Sequence, residues 1–583
     1  MPLFCRFIWS FRLKSVILQH EISLKSVVFD CQKLLKIHLR QMKYNIFSNK
    51  HKTMKRISLC YVLILLCTVV QGAWAQSPTP STELEPYITT LGNKMVYKFN
   101  YPSTSVTGKP VVLSSLLCCW APTEPQTSDS IESVHLYSHY TVTTNSQCPT
   151  SATTTTLDFM VLSTLFEGAE YDEKRPYLSI VKRSIAIMPD YEGYGVSSDR
   201  VHPYLVEDVT AKQVVDAMTY GLELYGKLNG ANNTLPLKNN WRCFSVGYSQ
   251  GGAVALAVQR YIEENDLSDQ LHFRGTLCGD GPYDLIATIR YYLDDNGTSY
   301  GVTTDHRENQ ITLPAVLPMI MNGMIVSNPS MSSHKLSDYF TQSFLDTGII
   351  DWLNSKTQSS DNINTAWLDQ IDKGTAAVDG KDYPAPANMS EMFFKQEIPG
   401  MIWGTQTVAW AKLDKIFTTG FYNYLKNPDN FNGAPELTGD AYEDMRFALE
   451  SSNVCTGWEP QHRIQFAHSK GDTVVPYGNF LAFRDAHPDG ENDIYRIDDT
   501  FSTSDHLSAG TMFIGKIGTD FFDYFQWIDA EQPTGIKTVA DVRSMMSDVW
   551  YDLTGRKLTG KPTKKGVYVH QGKKVVIASG LPK

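Results

Sequence analysis

The chain has 583 residues, with 52 Lys and Arg against 62 Asp and Glu for a formal net charge of −10, and 42% of its residues are hydrophobic. That length holds two or three ordinary domains, and the balance of apolar and charged residues excludes a disordered or fibrous chain. The acidic excess argues against nucleic acid or an anionic membrane as partner.

The charge is unevenly spread. Residues 1–53 carry ten Lys or Arg against Glu21 and Asp30. Met54-Lys55-Arg56 then opens a short basic region, Ile57 to Val70 is almost wholly apolar, and Ala73-Trp74-Ala75 before Gln76 has the small-x-small form of a cleavage site. The run is too short to favour an anchor, so no transmembrane segment is expected in the mature chain. Cys67 in the run would suit a lipoprotein, but Leu65-Leu66 lacks the small residue expected before a lipidated cysteine. We read 1–53 as upstream sequence ahead of a start at Met54, 54–75 as a signal peptide, and 76–89, rich in Ser, Thr and Pro, as a linker. The leader holds 12 basic and 2 acidic residues, which leaves 40 against 60 in the exported part.

Six of the ten cysteines follow the leader: Cys118, Cys119, Cys148, Cys243, Cys278 and Cys455. Six in so long a chain make no dense disulfide framework, and no CxxC or His/Cys cluster suggests structural zinc. Cys243 and Cys278 fall in predicted core strands, where small buried thiols are expected ahead of the alternative, a disulfide bridge.

Strand-like patterns begin at Met95–Tyr101 and Val111–Trp120, with Gly108-Lys109 turning between them, and continue at Val134–Val142. Ser184 to Met188 is an apolar strand ending in Pro189-Asp190-Tyr191-Glu192-Gly193-Tyr194-Gly195. His202-Pro203-Tyr204-Leu205 follows, then a helix from about Ala211 to Leu228. The strand–loop–helix order repeats over Trp241–Tyr261, and His272–Cys278 is another short strand. Strands alternating with helices predict a mostly parallel α/β sheet covered on both faces, with ligands at the carboxyl ends of its strands.

About 180 residues separate that strand from the next, Arg463–Ala467. Apolar spacing there predicts helices at Tyr283–Leu293, Leu313–Val326, Leu336–Leu353, Asn364–Ile371 and Trp410–Leu425. The gap is too long for a crossover and reads as a helical cap inserted at about 283–455. Met319, Met321 and Met324 fit either an adaptable acyl site or plain helix packing. From 535 to 583 short strands with Gly turns and many lysines predict a small separate β-rich module.

The chemistry centres on Gly247-Tyr248-Ser249-Gln250-Gly251-Gly252, a Gly-x-Ser-x-Gly turn between an apolar strand and a small-residue helix. A serine hydroxyl is a poor nucleophile without a base. Asp472, in a turn after Arg463–Ala467, and His506, in a loop 34 residues later, complete a serine–acid–histidine order. His506 would take the proton and Asp472 would fix its tautomer. His468 is a lesser candidate for the base, and Asp280 and Asp505 for the acid. The backbone N–H groups of Gln250 and Tyr140 are the candidate oxyanion donors. Acyl transfer by serine needs no metal or cofactor, and none is expected.

The 247–252, 189–195 and 468–472 segments together resemble the α/β-hydrolase superfamily, specifically its secretory lipase-like branch, over residues 90–530. The resemblance implies ester hydrolysis by Ser249, Asp472 and His506 beneath a helical lid. It departs at His139-Tyr140, where many hydrolases have His-Gly. The tail resembles the sorting or attachment modules of exported Bacteroidetes proteins, which implies a bacterial secreted, periplasmic or surface-attached enzyme and a sorting partner. Three functions remain open: a carboxylic ester hydrolase acting on a small ester or lipid, a serine exopeptidase, and a non-enzymatic binding protein on the same scaffold.

Overall fold

Nine strands form the central sheet of the computed structural model: β1 Glu85–Ile88, β2 Lys94–Thr104, β3 Pro110–Trp120, β4 Ile131–Ser138, β5 Ser184–Pro189, β6 Leu237–Tyr248, β7 Phe273–Gly279, β8 Arg463–Ala467 and β9 Tyr495–Asp498, in the order β1-β2-β3-β5-β4-β6-β7-β8-β9. The structure describes residues 78–88, 93–151, 182–228, 231–294, 298–304, 306–399, 405–500, 504–517 and 521–530, with four further short strands between 550 and 577. The signal-peptide and upstream readings lie outside the described residues.

The first three strands pair antiparallel with each other and β3 pairs antiparallel with β5; from β5 to β9 every pairing is parallel. Parallel strands need crossovers, and those on either side of β6 are helical: α1 Glu207–Gly226 precedes it, and α2 Gln250–Glu264 follows it. Two more helices, α3 His506–Ile517 and α4 Phe521–Asp529, close the chain's return to the sheet. This is the expected α/β architecture, mostly parallel and flanked by helices. At its centre β4, β5 and the Cys243–Tyr248 half of β6 are almost wholly buried, as covering both faces requires.

The cap is a second layer with its own hydrophobic core, containing Leu317, Met321, Trp352, Trp367 and Phe421, distinct from the core of the sheet. It is less uniformly helical than its sequence pattern predicts. Phe393–Pro399 and Thr405–Lys412 pair as an antiparallel ribbon, with Gln310–Ile311 on its other edge. Trp410 therefore lies in a strand, and the helices begin after it, at Leu413–Ile416 and Thr419–Lys426. The predicted Leu336–Leu353 helix breaks into Leu336–Tyr339, Gln342–Leu345 and Ile349–Ser355. Thr341 caps the second piece, and Gly348, at φ 98°, starts the third.

Two further differences sit at the sheet edges. Residues 85–88 of the predicted linker are strand β1, and β9 carries no alternating pattern that would mark it, because its Arg, Ile and Asp are all half-buried. The tail strands form a four-stranded antiparallel sheet of their own. No helix among the described residues is long and apolar enough to cross a membrane.

Candidate active site

Strand β6 delivers Ser249 to the carboxyl edge of the sheet. Ser249 adopts φ 58° and ψ −125°, a strained conformation for a residue with a side chain. Two hydrogen bonds hold it there: its N–H donates to Gly279 O at 2.9 Å, and its carbonyl accepts from Gly252 N at 2.8 Å. The neighbouring glycines contribute space. A Cβ on Gly247 would lie 2.0 Å from Gly251 O, and one on Gly251 would lie 2.0 Å from Ser138 O. Gly251→Ala is therefore expected to destabilise the fold by about 1–3 kcal/mol, since backbone cannot yield as a side-chain tip can. A denaturant titration of the purified variant measures this.

The structure brings Ser249, His506 and Asp472 into one hydrogen-bonded line. Ser249 Oγ is 2.9 Å from His506 Nε2, and His506 Nδ1 is 2.5 Å from Asp472 Oδ2. All three side chains are buried or nearly so. Asp472 Oδ1 accepts from the N–H groups of Val474 and Val475, both at 2.8 Å, so the carboxylate is fixed by three donors. Asp472 Oδ2 thus receives the Nδ1–H, which leaves Nε2 to receive the Ser249 proton. Burial opposes the imidazolium, but the charge and hydrogen bond of Asp472, with smaller contributions from Asp280 and Asp505, outweigh it and raise the His506 pKa above 6.5.

The other candidates are engaged elsewhere. Asp505 caps α3, accepting from Leu507 N at 3.0 Å and Ser508 Oγ at 2.7 Å. His468 donates from Nε2 to Val475 O at 2.9 Å, and burial lowers its pKa to about 4, so it stands neutral in the wall. Asp280, after β7, is buried beside the Asp472–His506 pair. Among the described residues, Asp280, His468 and Asp472 are the one group of such side chains close enough to share an ion. Asp472 Oδ1 accepts from Val474 N, Asp280 Oδ1 accepts from Ser469 N and His468 Nε2 donates to Val475 O, while the buried His468 Nδ1 makes no hydrogen bond.

Gln250 is the first residue of α2, so its N–H has no partner within the helix. Its side chain donates from Nε2 to His202 Nε2 at 2.9 Å, and His202 Nδ1 donates to Glu192 O at 2.8 Å. Burial lowers the His202 pKa to about 3, which keeps that acceptor nitrogen unprotonated. Tyr140 faces the same cavity as Ser249, and its carbonyl accepts from His139 Nδ1 at 2.6 Å, which fixes the turn of the chain there. Tyr248 donates its hydroxyl proton to His506 O at 2.7 Å. Neither His202 nor Tyr248 carried a sequence signal for these contacts, because both act across folds of the chain.

The cavity over Ser249 and His506 measures about 550 Å³, within the range of small-molecule sites. The cap supplies an apolar wall that includes Leu317, Met319, Trp367 and Trp410. Of the three methionines, only Met319 lines it; Met321 and Met324 pack in the cap core. The six cysteines after the leader are all buried and free, and burial pushes the Cys119 thiol up to about 12.

A nine-stranded, mostly parallel sheet with a serine elbow after β6 and a cap over its carboxyl edge is the α/β-hydrolase fold. Solved structures share it. A protein from Legionella pneumophila, provisionally described as a hydrolase, superposes with a TM-score of 0.50 at 17% identity, over 75% of this chain and 91% of its own. A point variant of the rice cell wall degrading esterase LipA from Xanthomonas oryzae superposes with a TM-score of 0.50 at 19% identity, over 76% of this chain and 97% of its own. At such identities the likeness speaks for the fold alone. No family model matches the chain, and no curated protein matches it in sequence.

Proposed function

We propose that the protein is an exported serine carboxylic ester hydrolase that works through an acyl-enzyme. The hydrogen-bonded Ser249–His506–Asp472 line on the floor of a largely apolar cavity carries this reading. Ser249 Oγ attacks the ester carbon while His506 Nε2 takes its proton, and Asp472 stabilises the imidazolium. The N–H groups of Gln250 and Tyr140 receive the developing oxyanion. His506 then protonates the departing alcohol, and water activated by the same imidazole releases the acid and restores Ser249. The basic, apolar and small-residue pattern of residues 54–75 supports export with a mature terminus at Gln76. The tail is proposed as a sorting or attachment module on its resemblance to such modules.

Labelling by a fluorophosphonate probe tests the reading on the protein beginning at Gln76, in competition with pools of acyl esters and of peptides. Esters are expected to protect and peptides are not. Protection by peptides alone would replace the esterase with an exopeptidase, and absence of labelling in folded protein would favour a binding role.

A further inference from the structure

The two oxyanion donors of the mechanism above are held in different ways. Gln250 N–H opens α2, so the helix aims it. Tyr140 lies past the end of β4 in a stretch of irregular backbone, where no ladder or helix sets the tilt of a peptide. Side chains set it instead. Tyr191 donates its hydroxyl proton to His139 O at 3.2 Å, and His139 Nδ1 donates to Tyr140 O at 2.6 Å. The carbonyls on both sides of the Tyr140 N–H are therefore anchored.

The His139 carbonyl and the Tyr140 N–H belong to one planar trans peptide, in which they point in opposite directions. A bond that fixes the carbonyl thus fixes the N–H, and the carbonyl is the end that Tyr191 holds. The peptide also packs on the first turn of α2, beside Gln250: a Cβ on Gly251 would lie 2.8 Å from His139 O.

Tyr191 is itself rigidly placed. It is 1% exposed, and its backbone sits in the left-handed region at φ 63°, a cost for an aromatic residue that its surroundings must impose. On one side the Asp190 carboxyl accepts from Ser114 Oγ at 2.5 Å, Thr150 N at 2.8 Å and Thr150 Oγ1 at 2.5 Å. On the other, Gly193 meets His202 so closely that a Cβ would lie 2.5 Å from His202 Cα. The Tyr191 ring stacks on His139 with centroids 4.0 Å apart, and it lies parallel to His202 within 5° at 6.1 Å. His202 in turn holds the Gln250 side chain. One stack of rings thus joins the segments that carry the two donors.

We propose that Tyr191 is a positioning residue for the oxyanion hole, holding the 139–140 peptide so that its N–H meets the oxygen that becomes negative on the Ser249 adduct. The inference rests on the serine hydrolase reading of the site and holds for ester and peptide alike, since both pass through the same tetrahedral adduct. A hole set for the adduct rather than for bound substrate acts on kcat and spares KM.

Tyr191→Phe keeps the ring and its stack and removes only the donor. Its kcat on an ester turned over by the wild type is expected to fall about 10- to 100-fold, short of the about 10²–10³-fold loss of a whole oxyanion donor, with KM and Tm close to wild type. A short alkyl trifluoromethyl ketone labelled with ¹³C at its carbonyl reads the hole directly. Ser249 Oγ adds to the carbonyl carbon, the C=O π pair moves to oxygen, and His506 Nε2 takes the serine proton, with no group leaving. The pH below which the bound oxygen takes up a proton should rise by about one to two units in Tyr191→Phe, on the scale of tenfold per unit. A change in stability or substrate binding alone would leave that ionisation in place.

His139-Tyr140 is the one His-Tyr pair in the sequence, so carbonyl-¹³C histidine with ¹⁵N tyrosine marks this peptide alone in NMR spectra. On wild-type protein its N–H proton is expected to move downfield when the adduct forms, a measurement that needs no variant to fold. An unchanged kcat or ionisation in folded Tyr191→Phe, or an N–H resonance that ignores the adduct, would overturn the proposal. Absence of any adduct on folded wild-type protein would overturn the hydrolase reading and this inference with it, so the two failures are told apart.

Discussion

Ser249→Ala is expected to abolish fluorophosphonate labelling and to lower kcat on any ester turned over by the wild type by about 10⁶-fold, the scale on which a triad serine acts. The loss is large because the hydroxyl is the bond-forming atom, and His506 Nε2, 2.9 Å away, then has no proton to take. KM should change little, since the cavity wall is contributed by the cap and by Tyr140, which a missing oxygen leaves in place. A variant that folds with wild-type Tm and still hydrolyses esters within tenfold of wild type would remove Ser249 from the chemistry. Titration with the probe then gives the fraction of active sites directly, so a partly folded sample is distinguishable from a slow enzyme.

Asp472→Asn should cost about 10⁴-fold in kcat, or about 5 kcal/mol of transition-state stabilisation. The hydrogen bonds fix the reason. Val474 and Val475 donate to Oδ1, so the amide oxygen of Asn must face them. Its NH₂ group is then left toward His506 Nδ1, which must accept. The imidazole proton moves to Nε2, where it confronts Ser249 Oγ, and the base is lost. Removal of the charge also withdraws the main influence that raises the His506 pKa. Activity needs the neutral imidazole, so in the wild type kcat/KM rises as pH climbs through a value above 6.5. In Asp472→Asn that acid limb should move to lower pH while the plateau falls. A limb that stays in place with a plateau within tenfold of wild type would transfer the acid's role to Asp280.

Much of this arrangement was legible along the chain wherever the signal is local. The elbow is read from Gly247 to Gly252 because a tight strand-to-helix turn requires small residues at fixed offsets. Strand β8 was found to the residue, since a short apolar run between polar turns leaves little choice. The cap was legible as an insertion by length alone. Its internal elements were not: a strand at Thr405–Lys412 pairs with Phe393–Pro399, and that pairing overrode the helical spacing that begins at Trp410. Strand β9 was missed because an edge strand of one buried and three half-buried residues has no periodicity to read.

The sequence by itself determined the parts that depend on neighbours in the chain: the alternation of strand and helix, the serine turn, the order of serine, acid and histidine, and the excess of negative charge after the leader. Tertiary structure decided what depends on direction. It chose Asp472 over Asp505 by committing the latter to a helix cap, and it left His468 neutral by burying it. It also carried Tyr248 to the back of His506, more than 200 residues away in sequence. A hydrogen bond is specified by the relative orientation of two groups, and for groups so far apart in the chain only the packed sheet supplies it.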